Sequence, residues 1–296
     1  MKALVFCAIA IAAFTPAVTD ARVIHSERSL YQNLLVVEKG TQRCLQFTVR
    51  HDQRNQTCLD KSHPKRMVFA YTQMMMAALL LNPDPLRILV SGLGGGTIPA
   101  ALAELLPDAR IDVVEIDPTV VEVAKRYFGY VPGPHTRVYV QDARVFGKRA
   151  VLSGQQYDAI FLDAYNGDYI PEHLMTREYL EETRRLLKPG GVVAANTFAI
   201  SRLYHHESVT YEAVFGTFFN LTLGQSANRI VLATAGELPD ETLLVQRAAA
   251  WEELLEPYGV PIRSYPPRMT TEPDWNTEAR VLTDQYSPAN LLRELD

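Results

Sequence analysis

Between residues 86 and 198 the chain alternates two patterns. Short runs with apolar centres (RILVS, RIDVVE, RVYV, YDAIFL) are separated by longer segments such as TIPAALAELL and PTVVEVAKRYF. Apolar runs of this length read as strands covered on both faces, and the longer segments read as helices. Their alternation predicts an α/β fold with a mostly parallel sheet between layers of helix. A helix over 176–187 stops at Lys188-Pro189-Gly190-Gly191, and GVVAANTF follows as a strand. Beyond it the pattern predicts a helix over 209–219, a strand over 228–234 and a helix over 243–255, then a Pro-rich stretch.

The first part of the chain has a different rhythm. Over 30–59, YQNLLVVE and RCLQFTV flank a Lys39-Gly40 turn, which predicts antiparallel strands in a small β module. RMVFAYTQMMMAALLL, 66–81, predicts a helix whose methionines fill core space. The expected organisation is therefore a leader over 1–21, a β-hairpin module over 22–64 and a Rossmann-like domain, the catalytic one, over 65–296.

The leader MKALVFCAIAIAAFTPAVTDA has one lysine, an unbroken apolar run over 3–14, then Pro16 and small residues that permit cleavage after Ala17 or Ala21. That run is short for a bilayer span and matches the apolar core of a secretory signal. Export to the periplasm or tethering to the membrane is the expectation. The alternative is a cytoplasmic protein that buries the segment. Of three cysteines, Cys7 lies in this leader. Cys44 and Cys58 flank the hairpin tip TVRHDQRNQT, where paired strands could bring them face to face. A bridge closing such a loop contributes about 3 kcal/mol and suits an oxidising compartment. Two unrelated buried thiols are the other reading.

With 47% apolar and 21% charged residues, the chain can bury a core and is not disordered. Its net charge of -5, without a Lys/Arg-dense segment, weighs against nucleic acid and favours a small cationic ligand. His205-His206 lacks a matching ligand set, so no metal is expected.

Three acidic or glycine-rich stretches converge on one edge of the predicted sheet. SGLGGGTIPAAL joins a strand to a helix, and Gly92, Gly94, Gly95 and Gly96 let backbone approach a ligand closely. Glu115 ends the next strand about 20 residues on, where a carboxylate can take both hydroxyls of a ribose. Asp142, in Gln141-Asp142-Ala143, ends a third strand. The first two features fit NAD as well; the third favours an S-adenosyl ligand, whose adenine amine an aspartate there can bind. FLDAYNGDYIP then carries Asp163 to the same edge, followed by Tyr165 and Asn166.

From Tyr31 to about Asn290 these motifs resemble the spermidine synthase family, and within it the bacterial spermidine synthase-like branch. The resemblance rests on Tyr31-Gln32, Gln56, Tyr71, VVEIDPTVVEVAKRYF, Gln141-Asp142-Ala143, IPEHLMTREYLEETRRLLKPGGVVAANTF and VLTDQYSPANLL. It implies a methyltransferase-type Rossmann-like fold, decarboxylated S-adenosylmethionine as co-substrate and a polyamine acceptor. It also implies that Asp163 is the base, that Tyr71, Tyr165 and Asn166 line the amine channel, and that Gln32, Gln56, Gly92, Gly94, Gly96, Glu115 and Asp142 hold the nucleoside. Family members often form homodimers.

Two departures stand out. Asn166 replaces the second aspartate of the family signature, with Asp168 offset by two positions, and Gly95 replaces a glycine-loop aspartate. Three readings follow: aminopropyl transfer to putrescine or a related polyamine, which is preferred; methyl transfer from S-adenosylmethionine; and non-catalytic binding of a polyamine or nucleoside.

Overall fold

The computed structural model describes residues 20–49, 52–165, 169–224 and 226–288. The described residues open with an antiparallel sheet of β1 (Arg22–Arg28), β2 (Asn33–Lys39), β3 (Gln42–Val49) and β4 (Asp52–Asp60), each paired with the next. The pattern did not reveal β1, because its outward positions are polar and its apolar pair, Val23 and Ile24, does not alternate. Partner β2 supplies its hydrogen bonds. Cys44 faces Cys58 directly across β3 and β4, with Cα atoms 4.1 Å apart, and the two form a disulfide. That spacing is the close-approach pairing of an antiparallel ladder.

The rest of the chain runs α1 (Ala70–Met75), α2 (Ala78–Leu81), β5 (Arg87–Ser91), α3 (Thr97–Leu105), β6 (Arg110–Glu115), α4 (Pro118–Phe128) and β7 (Thr136–Val140). It continues through α5 (Ala143–Leu152), β8 (Tyr157–Leu162), α6 (Arg177–Arg185), β9 (Leu187–Phe198), α7 (Tyr204–Phe215), β10 (Phe219–Thr222), β11 (Asn228–Thr234), α8 (Glu241–Leu255) and β12 (Met269–Thr270). The sheet order is β12-β10-β11-β9-β8-β5-β6-β7. Strands from β9 to β7 pair in parallel, while β11, β10 and β12 form an antiparallel margin. The chain leaves β5 toward β6 and β7, then returns to place β8 on the other side of β5. That reversal opens a crevice at the carboxyl ends of β5 and β8, the usual place for a ligand in such sheets.

Local chemistry explains the helix limits. Asp117 caps α4 by accepting from the Thr119 amide at 2.9 Å, Pro118 opens its first turn, and Gly129 ends it in a left-handed conformation. The expected 66–81 helix is divided. The Met67 amide instead donates to the Tyr258 carbonyl and the Met67 carbonyl accepts from Gln73, so the first turn is taken up by tertiary contacts. At Met76 and Ala77 the bonds tighten to a three-residue spacing, which breaks the α-helical register. The predicted 209–219 helix starts and ends earlier: Gly216 stops it, and Phe219 enters β10 opposite Leu232. The methionines of α1 are core, as expected.

Apolar side chains form separate packed groups on the two faces of the large sheet. A third group, with Leu34, Val36, Leu45, Phe47, Val120 and Val123, seats the β module on α4. This packing brings β4 over the crevice.

Candidate active site

A cavity of about 630 Å³ lies where the β module covers the carboxyl edge of the sheet. The wall nearest β5 is the glycine loop. A Cβ on Gly92, which has φ +97°, would stand 2.3 Å from the Asp163 carbonyl oxygen. Only glycine therefore lets this loop cross the end of β8. Gly92, Gly94 and Gly95 line the cavity. Gly96 does not; it turns into α3 against the ring of Tyr130.

Gly95 is crowded rather than open. A Cβ there would lie 2.8 Å from the Thr57 methyl carbon of β4, and the Thr57 and Thr97 hydroxyls are 3.5 Å apart. The space a Cβ would enter is taken up by Thr57 of the β module and Phe128 of α4.

Glu115 ends β6 with one carboxylate oxygen accepting from the Leu93 amide and the other from the Asp117 amide, both at 3.0 Å. It thereby ties the glycine loop to α4 while facing the cavity. Burial raises its pKa, and these two amides partly counter the rise. Gln32 also lines the cavity, with its side-chain oxygen buried and without a hydrogen-bond partner among the described residues. Gln56 lies on the same wall, and its backbone carbonyl accepts from the Tyr71 hydroxyl at 3.4 Å.

Asp142 lies between β7 and α5. One of its oxygens caps α5 through the Val145 amide and the other meets His173 Nε2, each at 2.9 Å. The His173 hydrogen bond is the main cause of its lowered pKa. Arg144, just downstream, pairs with Glu182 and with Asp284, which also accepts from Thr176. Asp284 therefore ties the tail to α5 and α6 behind the cavity wall, and it does not line the cavity itself.

Asp163 follows β8, held in register by its amide donating to the Ser91 carbonyl at 2.8 Å. Its carboxylate accepts from Asn196 Nδ2 at 2.8 Å and faces the Tyr71 hydroxyl. Burial pushes its pKa up to about 7; Asn196 and Tyr71 act against the rise, and Glu115 adds to it. Asn196 is a hub, since its side-chain oxygen accepts from Asn228 and its carbonyl from the Tyr165 hydroxyl at 2.7 Å. Burial and the Asp163 charge keep Tyr71 and Tyr165 protonated as donors. Tyr165 meets Phe198 edge-on, with ring centroids 5.4 Å apart.

The structure thus gathers Gln32, Gln56, Tyr71, Gly92, Gly94, Glu115, Asp142, Asp163 and Tyr165 around one cavity. Asn166 and Asp168 lie outside the described residues. Sequence reasoning missed Asn196, Asn228 and His173. The available signal for Asn196 was a polar residue near the carboxyl end of a buried strand, which shares its edge with Asp163. Among the described residues, no group of His, Cys, Asp and Glu is placed to hold a metal ion. His205 instead accepts from the Asn276 amide, and His206 bonds the Arg280 carbonyl.

Comparison with known proteins agrees with this geometry. Residues 68–221 match the model of the spermine/spermidine synthase domain. A polyamine aminopropyltransferase of Vibrio vulnificus is 52% identical over 276 residues, covering 93% of this chain and 92% of that one. The crystal structure of a probable spermidine synthase from Corynebacterium glutamicum superposes with a TM-score of 0.64 at 19% identity, covering 88% of this chain and 99% of that one. Human methyltransferase-like protein 13 in complex with SAH superposes with a TM-score of 0.59 at 26% identity, over 64% and 93% of the respective chains. The match to the domain model and the extent of the Vibrio relationship place this chain in the spermine/spermidine synthase family.

Proposed function

We propose that the protein transfers an aminopropyl group from decarboxylated S-adenosylmethionine to putrescine or a related polyamine. The observation that carries this reading is Asp163, a carboxylate at the sheet edge, drawn out of water and held by Asn196 and Tyr71 against an acid-lined cavity. The donor would lie along the glycine loop with its ribose on Glu115 and its adenine toward Asp142. The buried Gln32 side-chain oxygen, without a partner among the described residues, supplies a further acceptor on that wall.

In the reaction an amine nitrogen forms a bond to the aminopropyl carbon, the carbon–sulfur bond breaks, and methylthioadenosine leaves with the electron pair. The leaving group is already cationic, so no general acid is required. The demand falls on a neutral nitrogen held in line. An aspartate in water, with a pKa of about 3.9, is a poor acceptor for an alkylammonium proton near 10. Asp163, raised to about 7, is better matched. It orients the amine and takes its proton as the new bond forms. The hydroxyls and ring faces of Tyr71 and Tyr165 favour a cationic chain in the channel.

Methyl transfer from intact S-adenosylmethionine is the second reading, favoured by the absence of a carboxylate at Gly95. Titrating the full chain with both donors separates the two, and product analysis with putrescine tests the first. Tighter binding of the decarboxylated donor together with spermidine formation supports aminopropyl transfer. Preference for the intact donor and a methylated product would replace it.

Export or membrane tethering through residues 1–21 is supported by the leader pattern and by the Cys44–Cys58 bridge. Cell fractionation tests it, and recovery in the cytoplasm with free thiols would reject it. Homodimer formation rests on the family resemblance and is tested by sedimentation.

A further inference from the structure

We propose that His173 is a latch on the nucleoside end of the cavity: in the empty site its imidazole occupies the Asp142 oxygen that the exocyclic amine of an adenine nucleoside needs, and it swings aside when the nucleoside enters. This rests on the reading of Asp142 as the adenine-side acceptor. The two oxygens of Asp142 are not equivalent. The one bonded to the Val145 amide is part of the α5 cap and cannot be released without fraying the helix. The other meets a side chain, His173 Nε2 at 2.9 Å, and that side chain is 47% exposed. Of the groups on this carboxylate, where the others are backbone amides, the imidazole is the one that can leave.

The backbone beneath the imidazole is fixed. His173 sits on the short turn Glu172–Leu174, which lines the cavity. The His173 carbonyl accepts from Arg144 at 3.3 Å, and Arg144 is itself gripped by Glu182 of α6 and Asp284 of the tail. A fixed turn carrying a half-exposed ring leaves side-chain rotation as the cheapest motion available. Charges facing the pair include Arg144 and Lys148 of α5, Glu182, Asp284, the neighbouring Glu172 and, across the cavity, Glu115. Arg144 spends its side-chain donors on the two carboxylates and the His173 carbonyl, so the imidazole is the side chain that meets the second Asp142 oxygen.

A nucleoside that takes this oxygen must first displace the imidazole. The lowered pKa of Asp142, caused chiefly by the His173 hydrogen bond, agrees with this pairing. Removing the ring should accordingly tighten nucleoside binding about tenfold.

The test is calorimetric titration of the full chain with methylthioadenosine, which lacks an amine chain to engage Asp163. His173→Ala should bind about tenfold tighter than wild type, and His173→Gln, which keeps a donor for Asp142, should tighten less. Binding by His173→Ala no tighter than wild type overturns the latch. Asp142→Ala separates the two failures: weakened binding there with no gain in His173→Ala rejects the latch alone, whereas binding equal to wild type rejects the role of Asp142 and the latch with it.

Discussion

Asp142 and Asp163 end neighbouring excursions of one sheet, on the same edge and facing the same cavity, yet their chemistry diverges. Asp142 caps a helix and meets an imidazole, and its pKa is lowered. Asp163 has no backbone amide on its carboxylate among the described contacts, only Asn196 and Tyr71, and desolvation raises it to about 7. Residue type and strand position are shared, so the difference comes from what each oxygen faces. The first environment makes a fixed ionised acceptor, suited to holding a ligand. The second makes a group that exchanges a proton near neutral pH.

The largest test of this contrast is Asp163→Asn. Transfer should fall by about 10²–10⁴-fold, with nucleoside binding near wild type, in steady-state assay and titration. Transfer within a few-fold of wild type would remove Asp163 from the chemistry. In the wild type, activity should rise through about pH 7 as Asp163 loses its proton.

Asn196→Ala probes the cause of that midpoint. Asn196 stabilises the ionised form, so its loss should move the ascending limb of the pH–rate profile to higher pH, with about tenfold lower activity at pH 7. An unmoved limb would mean that another group sets it.

The smallest effect is on stability, and it should have opposite signs at the two sites. The folded pKa of Asp163 lies above its unfolded value, so its favourable contribution at low pH is lost as pH rises through about 7. Asp163→Asn should then raise Tm by about 2–4 °C at about pH 8. The folded pKa of Asp142 lies below its unfolded value, so its contribution is present above the unfolded value and lost as pH falls through the folded one. Asp142→Ala, which also removes a helix cap, should lower Tm by a similar amount near neutrality. Equal signs in scanning calorimetry would undo the comparison.

The nucleoside side was the more legible in sequence. Its residues follow strands directly and precede helices, so Gly92, Glu115 and Asp142 could be read from short contiguous patterns, and α4 fell within its predicted limits. On the amine side, Asp163 and Tyr165 were legible from one strand end, but Asn196 and Asn228 come from β9 and β11. No local pattern links those two strands. Similarly, the polar loop between strands did not announce that His173 would reach Asp142.

What the chain determined by itself is the alternation of strand and helix, the glycine turn and the carboxylates at strand ends. These depend on periodicity and on dihedral limits that act over a few residues. What the tertiary structure decided is which oxygen each carboxylate offers, how much water reaches it, and that Thr57 of β4 packs against Gly95. Desolvation and side-chain hydrogen bonding depend on atoms brought together from distant parts of the chain, so the same residue type became an ionised anchor at Asp142 and a proton acceptor at Asp163.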